Sequence, residues 1–328
     1  MMAGMRAILV ERFGGPEVLA LREVLDPEPG TGEVRIRVRA AGVNPVEAYI
    51  RTGTYARVPA LPYTPGTDGA GEVDTVGSGV TGFAAGDRVY LAGTHARRCT
   101  GTYASHVVCD AGAVYHLPGQ TSFPQGAALG VPYATAYRAV VQKARLRPGE
   151  TVLVHGASGA VGLAAVEFAV ALGATVIGTA GSTDGLAIVG ARGALHVLNH
   201  RHEAHLAEAL ALTGGRGVDV IVEMLANVNL ARDFDLLARD GRIVIVGSRG
   251  TLDFAPRLVM AKDASVFGLS LWNAPPAAIA EAHAAIRAGL AAGTLRPVVE
   301  AERPLAEAPA VHRDLLERPA CGKIVLVP

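Results

Sequence analysis

The sequence predicts an α/β protein, a doubly wound parallel sheet joined to a smaller β-barrel-like domain. Three observations predict it. Residues 151–165, TVLVHGASGAVGLAA, read as strand, tight turn and helix. Short apolar runs follow, separated by helical or polar segments, the alternation of a parallel sheet with crossover helices. From Met5 to about Phe123 the texture differs: short strands punctuated by Gly66, Gly69, Gly71, Gly77, Gly79 and Gly86. A chain of 328 residues is also too long for one ordinary core and suggests two domains.

The glycine-bearing stretch organises the chain. Val152 to Val154 is an apolar, β-branched run of the kind buried in parallel sheets. Gly156, Gly159 and Gly162 follow at a fixed step, and apolar residues then recur at helical spacing from Val161 to Val170 until Gly173. Glycines at such a turn let the backbone approach a pyrophosphate, and the helix N-terminus offers free N–H groups and a positive dipole end. The pattern is a variant of the dinucleotide fingerprint. Further strands are expected at Ala174–Ala180, His196–Leu198, Val218–Val222, Arg242–Val246 and Ser265–Leu271. The last is apolar and would leave an open edge, which predicts a homodimer, or a homotetramer built from it.

Elsewhere, Arg6 to Val10 suits a strand, and Glu33 to Ala40 alternates apolar and charged residues, a strand with one wet face. Val46 to Arg51 suits a short helix capped by Asn44. His95 to Thr102 reads as a polar surface loop. Gln125 to Lys143 reads as helical, broken at Pro132. An alanine-rich helix at Ala277–Leu290 follows. Then come a strand at Leu295–Glu300, a short helix at Leu305–Glu317 and a final strand at Lys323–Val327, a tail expected to fold back on the first domain.

Composition excludes several classes. A formal net charge of zero argues against a nucleic-acid partner. Cys99, Cys109 and Cys321 form no disulfide framework or metal knuckle, which fits a reducing, cytoplasmic setting. The amino terminus reads as no signal peptide. Residues 157–180 are apolar enough to suggest a membrane span, but Gly173 divides them into a helix and a strand.

Read together, GVNPVEAYIRTGTY, LPYTPGTDGAG, GDRVY, VPYATAYRA, VLVHGASGAVGLAA, GTAG, NHR, EMLANVNL and GRIVIVGSRG, in this order, resemble the zeta-crystallin-type NADPH:quinone oxidoreductases of the medium-chain dehydrogenase/reductase superfamily. The resemblance covers essentially the whole chain. It implies a GroES-like catalytic domain at 1–125, completed by 270–328, and a Rossmann domain at 126–269, with the cofactor in the cleft between them. Zinc-dependent members of the superfamily carry Gly-His-Glu and a cluster of four cysteines. Gly66-Thr67-Asp68 stands here instead, with three scattered cysteines, so no metal is expected.

The resemblance also implies site residues. Tyr49 contacts the nicotinamide half, and Ser158, Gly159, Ala160 and Val161 form the turn under the pyrophosphate. Gly181, Ser182, His200, Arg201, Asn229, Val246, Gly247, Ser248 and Arg249 follow at strand ends, which face the crevice in such sheets. No acid ends the second strand, Thr179-Ala180-Gly181-Ser182, so a 2′-phosphate is not repelled there and NADPH is the expected cofactor. Its phosphate partners are His200, Arg201 or Lys323, with Ser182 as a hydroxyl donor. Asn44, Tyr49 and Tyr55 are the catalytic candidates, able to hydrogen-bond the oxygen of a quinone substrate as it gains charge. Reduction of an activated alkene with Tyr49 as proton donor, and a non-enzymatic NADPH-binding or RNA-binding role, are the alternatives. One-electron and two-electron outcomes both stay open.

Overall fold

The structure, a computed structural model, describes residues 4–328. Residues 1–3, at the head of the stretch read as no signal peptide, lie outside the described residues. β1 (Gly4–Leu9) and β2 (Ala20–Leu25) form an antiparallel hairpin. After it come β3 (Glu33–Gly42), α1 (Pro45–Arg51), β4 (Asp68–Val76), β5 (Arg88–Ala92), β6 (His106–Asp110) and β7 (Val114–His116). In β3, Val34, Ile36 and Val38 are buried. The intervening arginines are not merely solvated: Arg35 pairs with Asp74 at 2.7 Å and Arg39 with Glu72 at 2.7 Å across the strand. Such pairs fix partners and register more than they add stability.

α2 (Phe123–Gly126) and α3 (Gly130–Tyr137) lead to the second sheet, with a π-helical segment at Arg138–Lys143. The interruption expected at Pro132 falls instead at residues 127–129. Pro132 sits in the first turn of α3, where its missing N–H breaks no helical bond.

β8 (Thr151–Val154), α4 (Ala160–Ala171), β9 (Thr175–Ala180), α5 (Thr183–Ala191), β10 (His196–Asn199) and α6 (His205–Leu212) form one half of the doubly wound unit. β11 (Val218–Glu223), α7 (Ala226–Leu236), β12 (Leu237–Ile245), α8 (Arg257–Lys262) and β13 (Ser265–Gly268) form the other. The strand order is β10-β9-β8-β11-β12-β13, parallel throughout. The order reverses between β8 and β11, and a crevice opens there beyond the strand ends. Val152, Leu153 and Val154 are fully buried because helices cover both faces.

α9 (Pro276–Ala292), β14 (Val299–Pro304), α10 (Ala308–Asp314) and β15 (Lys323–Val327) complete the chain. β15 pairs antiparallel with β3, Leu326 opposite Ala41, so the tail belongs to the seven-stranded sheet β14-β15-β3-β4-β5-β7, with β6 also on β3. Several expected limits shift. β13 ends at Gly268, and Leu271–Asn273 forms a 3₁₀ turn. The strand expected at 295–300 starts at Val299, because Leu295 is buried closing the end of α9, its amide on the Gly289 carbonyl. The helix expected over 305–317 is a 3₁₀ turn, Leu305–Glu307, then α10. The segment expected as a surface loop at 95–102 is tied down: Arg98 bonds Glu33 at 2.5 Å, Asp110 accepts the Arg97 and Arg98 amides, and the Cys99 backbone pairs with that of Cys109 in an isolated antiparallel bridge.

Candidate active site

A cavity of about 750 Å³ opens between the two sheets, bounded by Gly156–Gly162 on one side and by Asn44–Tyr49 and the tail on the other. Gly159 precedes α4 and supplies no side-chain cap, so the first-turn amides face the cleft uncapped, ready for an anion. Gly162 holds the helix close: a Cβ there would lie 2.6 Å from both the Ala157 Cα and the Gly156 carbonyl oxygen. The tail clamps this turn, the Gly322 amide donating to the Ser158 carbonyl at 2.8 Å. Open helix amides above a glycine turn fit the pyrophosphate of a nicotinamide dinucleotide, which Ser158, Gly159, Ala160 and Val161 would hold.

At the end of β9, Gly181 lies under His200 and Arg201. A Cβ on Gly181 would meet His200 Nε2 at 2.5 Å and Arg201 Nε at 3.2 Å. Ser182 caps α5, its Oγ accepting the Gly185 amide at 3.1 Å, which leaves its hydroxyl proton to donate. Partial burial, then nearby His205, His155 and Arg201, hold the His200 imidazole below its ordinary pKa. Arg201 is therefore the standing cation here. Lys323 is not with them. It is 2% exposed, donates its Nζ proton to Asn44 Oδ1 and lies 3.5 Å from Asp68 Oδ2.

That placement also changes the reading of Asn44. Its amide is used at both ends, Oδ1 by Lys323 and Nδ2 by Asp68 at 2.9 Å. Glu47 joins the network, accepting the Asn44 amide at 3.0 Å and the Tyr103 hydroxyl at 2.6 Å. Burial pushes the carboxyls of Asp68 and Glu47 up and the Lys323 ammonium down, and their mutual attraction opposes each shift. Asp68 also accepts the Val131 amide at 2.9 Å and so anchors α3.

Tyr49 and Tyr55 both line the cleft. Tyr55 Oη accepts from Trp272 Nε1 at 3.1 Å, so its own proton is directed to another acceptor. Trp272, the single tryptophan, was not singled out in the sequence, although a lone indole carries a donor that needs a partner. Val246, Gly247, Ser248 and Arg249 line the cleft, and Arg249 reaches the tail, bonding the Leu316 carbonyl at 3.1 Å. Asn229 stands in α7 with its Nδ2 on Glu223 at 3.2 Å, and Met224 lines the cleft near it. Tail residues Arg318, Pro319, Ala320, Gly322, Lys323 and Ile324 also line it; of these the sequence singles out Lys323 alone, as a phosphate partner.

Two family profiles match: "Alcohol dehydrogenase GroES-like domain" over residues 30–119 and "Zinc-binding dehydrogenase" over 160–288. The human "Quinone oxidoreductase" is 46% identical over 325 residues, covering 98% of each chain. The chain belongs to the quinone oxidoreductase family. This family lies in the medium-chain dehydrogenase/reductase superfamily, and its Rossmann and GroES-like domains are the two sheets above. The Escherichia coli quinone oxidoreductase, solved in complex with NADPH, superimposes with a TM-score of 0.89 at 32% identity, covering 98% of this chain and 100% of that one. A structure described as an NAD-dependent alcohol dehydrogenase matches with the same TM-score at 35% identity, covering 99% of this chain and 100% of that one. In this quinone oxidoreductase the buried cation beside Asp68 is the Lys323 ammonium. Among the described residues, no helix is long and apolar enough to cross a membrane.

Proposed function

We propose that the chain is an NADPH-dependent quinone reductase that works without zinc. The observation that carries this reading is the pairing of open α4 amides with the cleft-lining hydroxyls of Tyr49 and Tyr55. NADPH, lying along the turn at 156–162, would supply the hydride. Arg201, His200 and Ser182 would hold its 2′-phosphate, where an acid at the end of β9 would repel it. Tyr55, oriented by Trp272, would donate its proton toward the acceptor oxygen, and Tyr49 would pack against the nicotinamide half. A quinone oxygen becomes a stabilised anion on reduction, so hydrogen bonding suffices and no strong acid is needed.

We propose further that residues 1–125 with 270–328 form the catalytic domain and 126–269 the cofactor domain. The terminal position of β13 in its sheet supports a homodimer joined edge to edge, or a homotetramer of such pairs. The three cysteines are free, which supports a reducing, cytoplasmic setting.

The test is steady-state oxidation of NADPH and NADH against a panel of quinones and a panel of enones. Quinone turnover should dominate, with NADPH preferred. Tyr55→Phe should lower quinone kcat by roughly 10²–10³-fold, the range for losing one transition-state donor, and Tyr49→Phe by less. Rapid enone reduction with quinones inert would reject the reading and promote Tyr49 as a proton donor to carbon.

A further inference from the structure

Below the glycine turn lies a buried group of titratable side chains that hydride transfer does not use. His155 follows β8, Glu223 ends β11 and Asp233 lies in α7. His155 Nε2 is hydrogen-bonded to Asp233 Oδ1 at 2.9 Å and lies 3.6 Å from Glu223 Oε2. Both carboxyls are fully buried. Glu223 Oε1 accepts the Leu225 amide and Asn229 Nδ2. Glu223 Oε2 and Asp233 Oδ2 have no hydrogen-bond partner among the described residues. Two ionised carboxylates facing one neutral imidazole leave an uncompensated buried charge, a state that proteins relieve by keeping a proton or binding a cation.

The triad also sits where three cleft-lining segments meet. His155 precedes Gly156, and its amide bonds the Val222 carbonyl at 3.1 Å. The Glu223 carbonyl accepts the Val246 amide at 2.8 Å and the Gly247 amide at 3.3 Å, and its side chain holds the turn that follows Met224. Gly156, Met224, Val246 and Gly247 all line the cleft.

We propose that a proton retained by the Glu223–Asp233 pair, steadied by His155, braces these loops, so that nucleotide affinity declines when that proton leaves. This rests on the cleft being the nucleotide site. Burial above all pushes both carboxyls up, to about 7, while burial lowers the His155 pKa and keeps the imidazole neutral. A raised carboxyl pKa places the braced form below about 7 and its loss above it. The charged or titratable groups facing the triad are Arg232 on α7 and His200 after β10, with His205 of α6 behind His200.

The experiment measures NADPH and NADH dissociation constants between about pH 6 and pH 9 for the wild type, Glu223→Gln and Asp233→Asn. Infrared titration of the apoprotein follows the protonated carboxyl band. Wild-type affinity for both cofactors should fall roughly tenfold across this range, and either neutral amide should flatten the profile. The band should titrate near neutrality in the wild type and lose part of its amplitude in each variant, one carboxyl being gone. Equal pH profiles in wild type and folded variants overturn the proposal. So does an effect seen with NADPH alone, which assigns the titration to the 2′-phosphate partners. A stoichiometric divalent ion in the purified wild type overturns it by supplying the charge otherwise. If neither variant folds, the wild-type band decides: a titrating band supports the retained proton and its absence overturns it. If no nucleotide binds at any pH, the cleft reading fails and the proposed coupling with it, whereas binding with no pH-sensitive carboxyl defeats the proposal alone.

Discussion

Lys323 shows how a residue's role depends on a partner far along the chain. The sequence offers it as a free cation near the tail, one of three lysines and a candidate for a phosphate. Its Nζ instead meets Asn44, 279 positions away, because β15 docks beside β3. Hydrogen-bond partners at that separation leave no trace in local spacing, so the network of Lys323, Asn44, Asp68 and Glu47 was not legible. Lys323→Met should destabilise the protein by about 3–5 kcal/mol in urea denaturation, since it strands buried carboxyls without their cation. Adding Asp68→Asn should recover part of that loss; no recovery would show that Lys323 acts through packing alone. His200 and Arg201 do lie over Gly181 at the end of β9, the place the sequence offers for a 2′-phosphate, and that role is open to a direct test. Arg201→Ala should raise KM for NADPH roughly tenfold or more while leaving NADH nearly unchanged, as expected for one charged hydrogen bond. Equal effects on both cofactors in steady-state kinetics would place the phosphate elsewhere.

Among the elements, the β8–α4 unit was the most readable. Val152–Val154 must be apolar on both faces, and of the glycines that follow Gly156 takes a positive φ and Gly162 a close backbone approach, so composition and geometry coincide. Element ends were less readable where tertiary contacts decide them. Leu295 looks like the start of a strand until its packing against Gly289 is seen. Pro132 looks like a breaker until its place in the first turn is known. β13 gives a direct test of an edge. Val266 is 37% exposed on the terminal strand, so Val266→Lys should convert a dimer to monomers in sedimentation velocity at micromolar concentration, with little loss of monomer stability. An unchanged sedimentation coefficient would remove β13 from the interface.

At the scale of the whole molecule, buried histidines weaken the fold as pH falls. His283 and His312 are 1% and 2% exposed, and burial lowers each pKa to about 3. Unfolding lets both take protons below about 6.5, so each subtracts about 1.4 kcal/mol per pH unit as pH falls from there toward 3. The Glu223–Asp233 pair, raised to about 7, acts oppositely between about 4 and 7 and favours the folded state as pH falls. Denaturation of His312→Gln at about pH 5 and about pH 7 should show a shallower acid decline than the wild type by one proton. An unchanged slope would mean that His312 is protonated in the folded protein. The two-sheet architecture was legible from the alternation of strands and helices and from the tail's terminal strand. Its closure has a consequence for biosynthesis. β15 is encoded well after its neighbour β3, and the parallel sheet lies wholly between them. The parallel sheet can therefore form before β15 is made, while the end of β3 at Ala41 and Gly42, already paired with β4, still lacks its β15 partner.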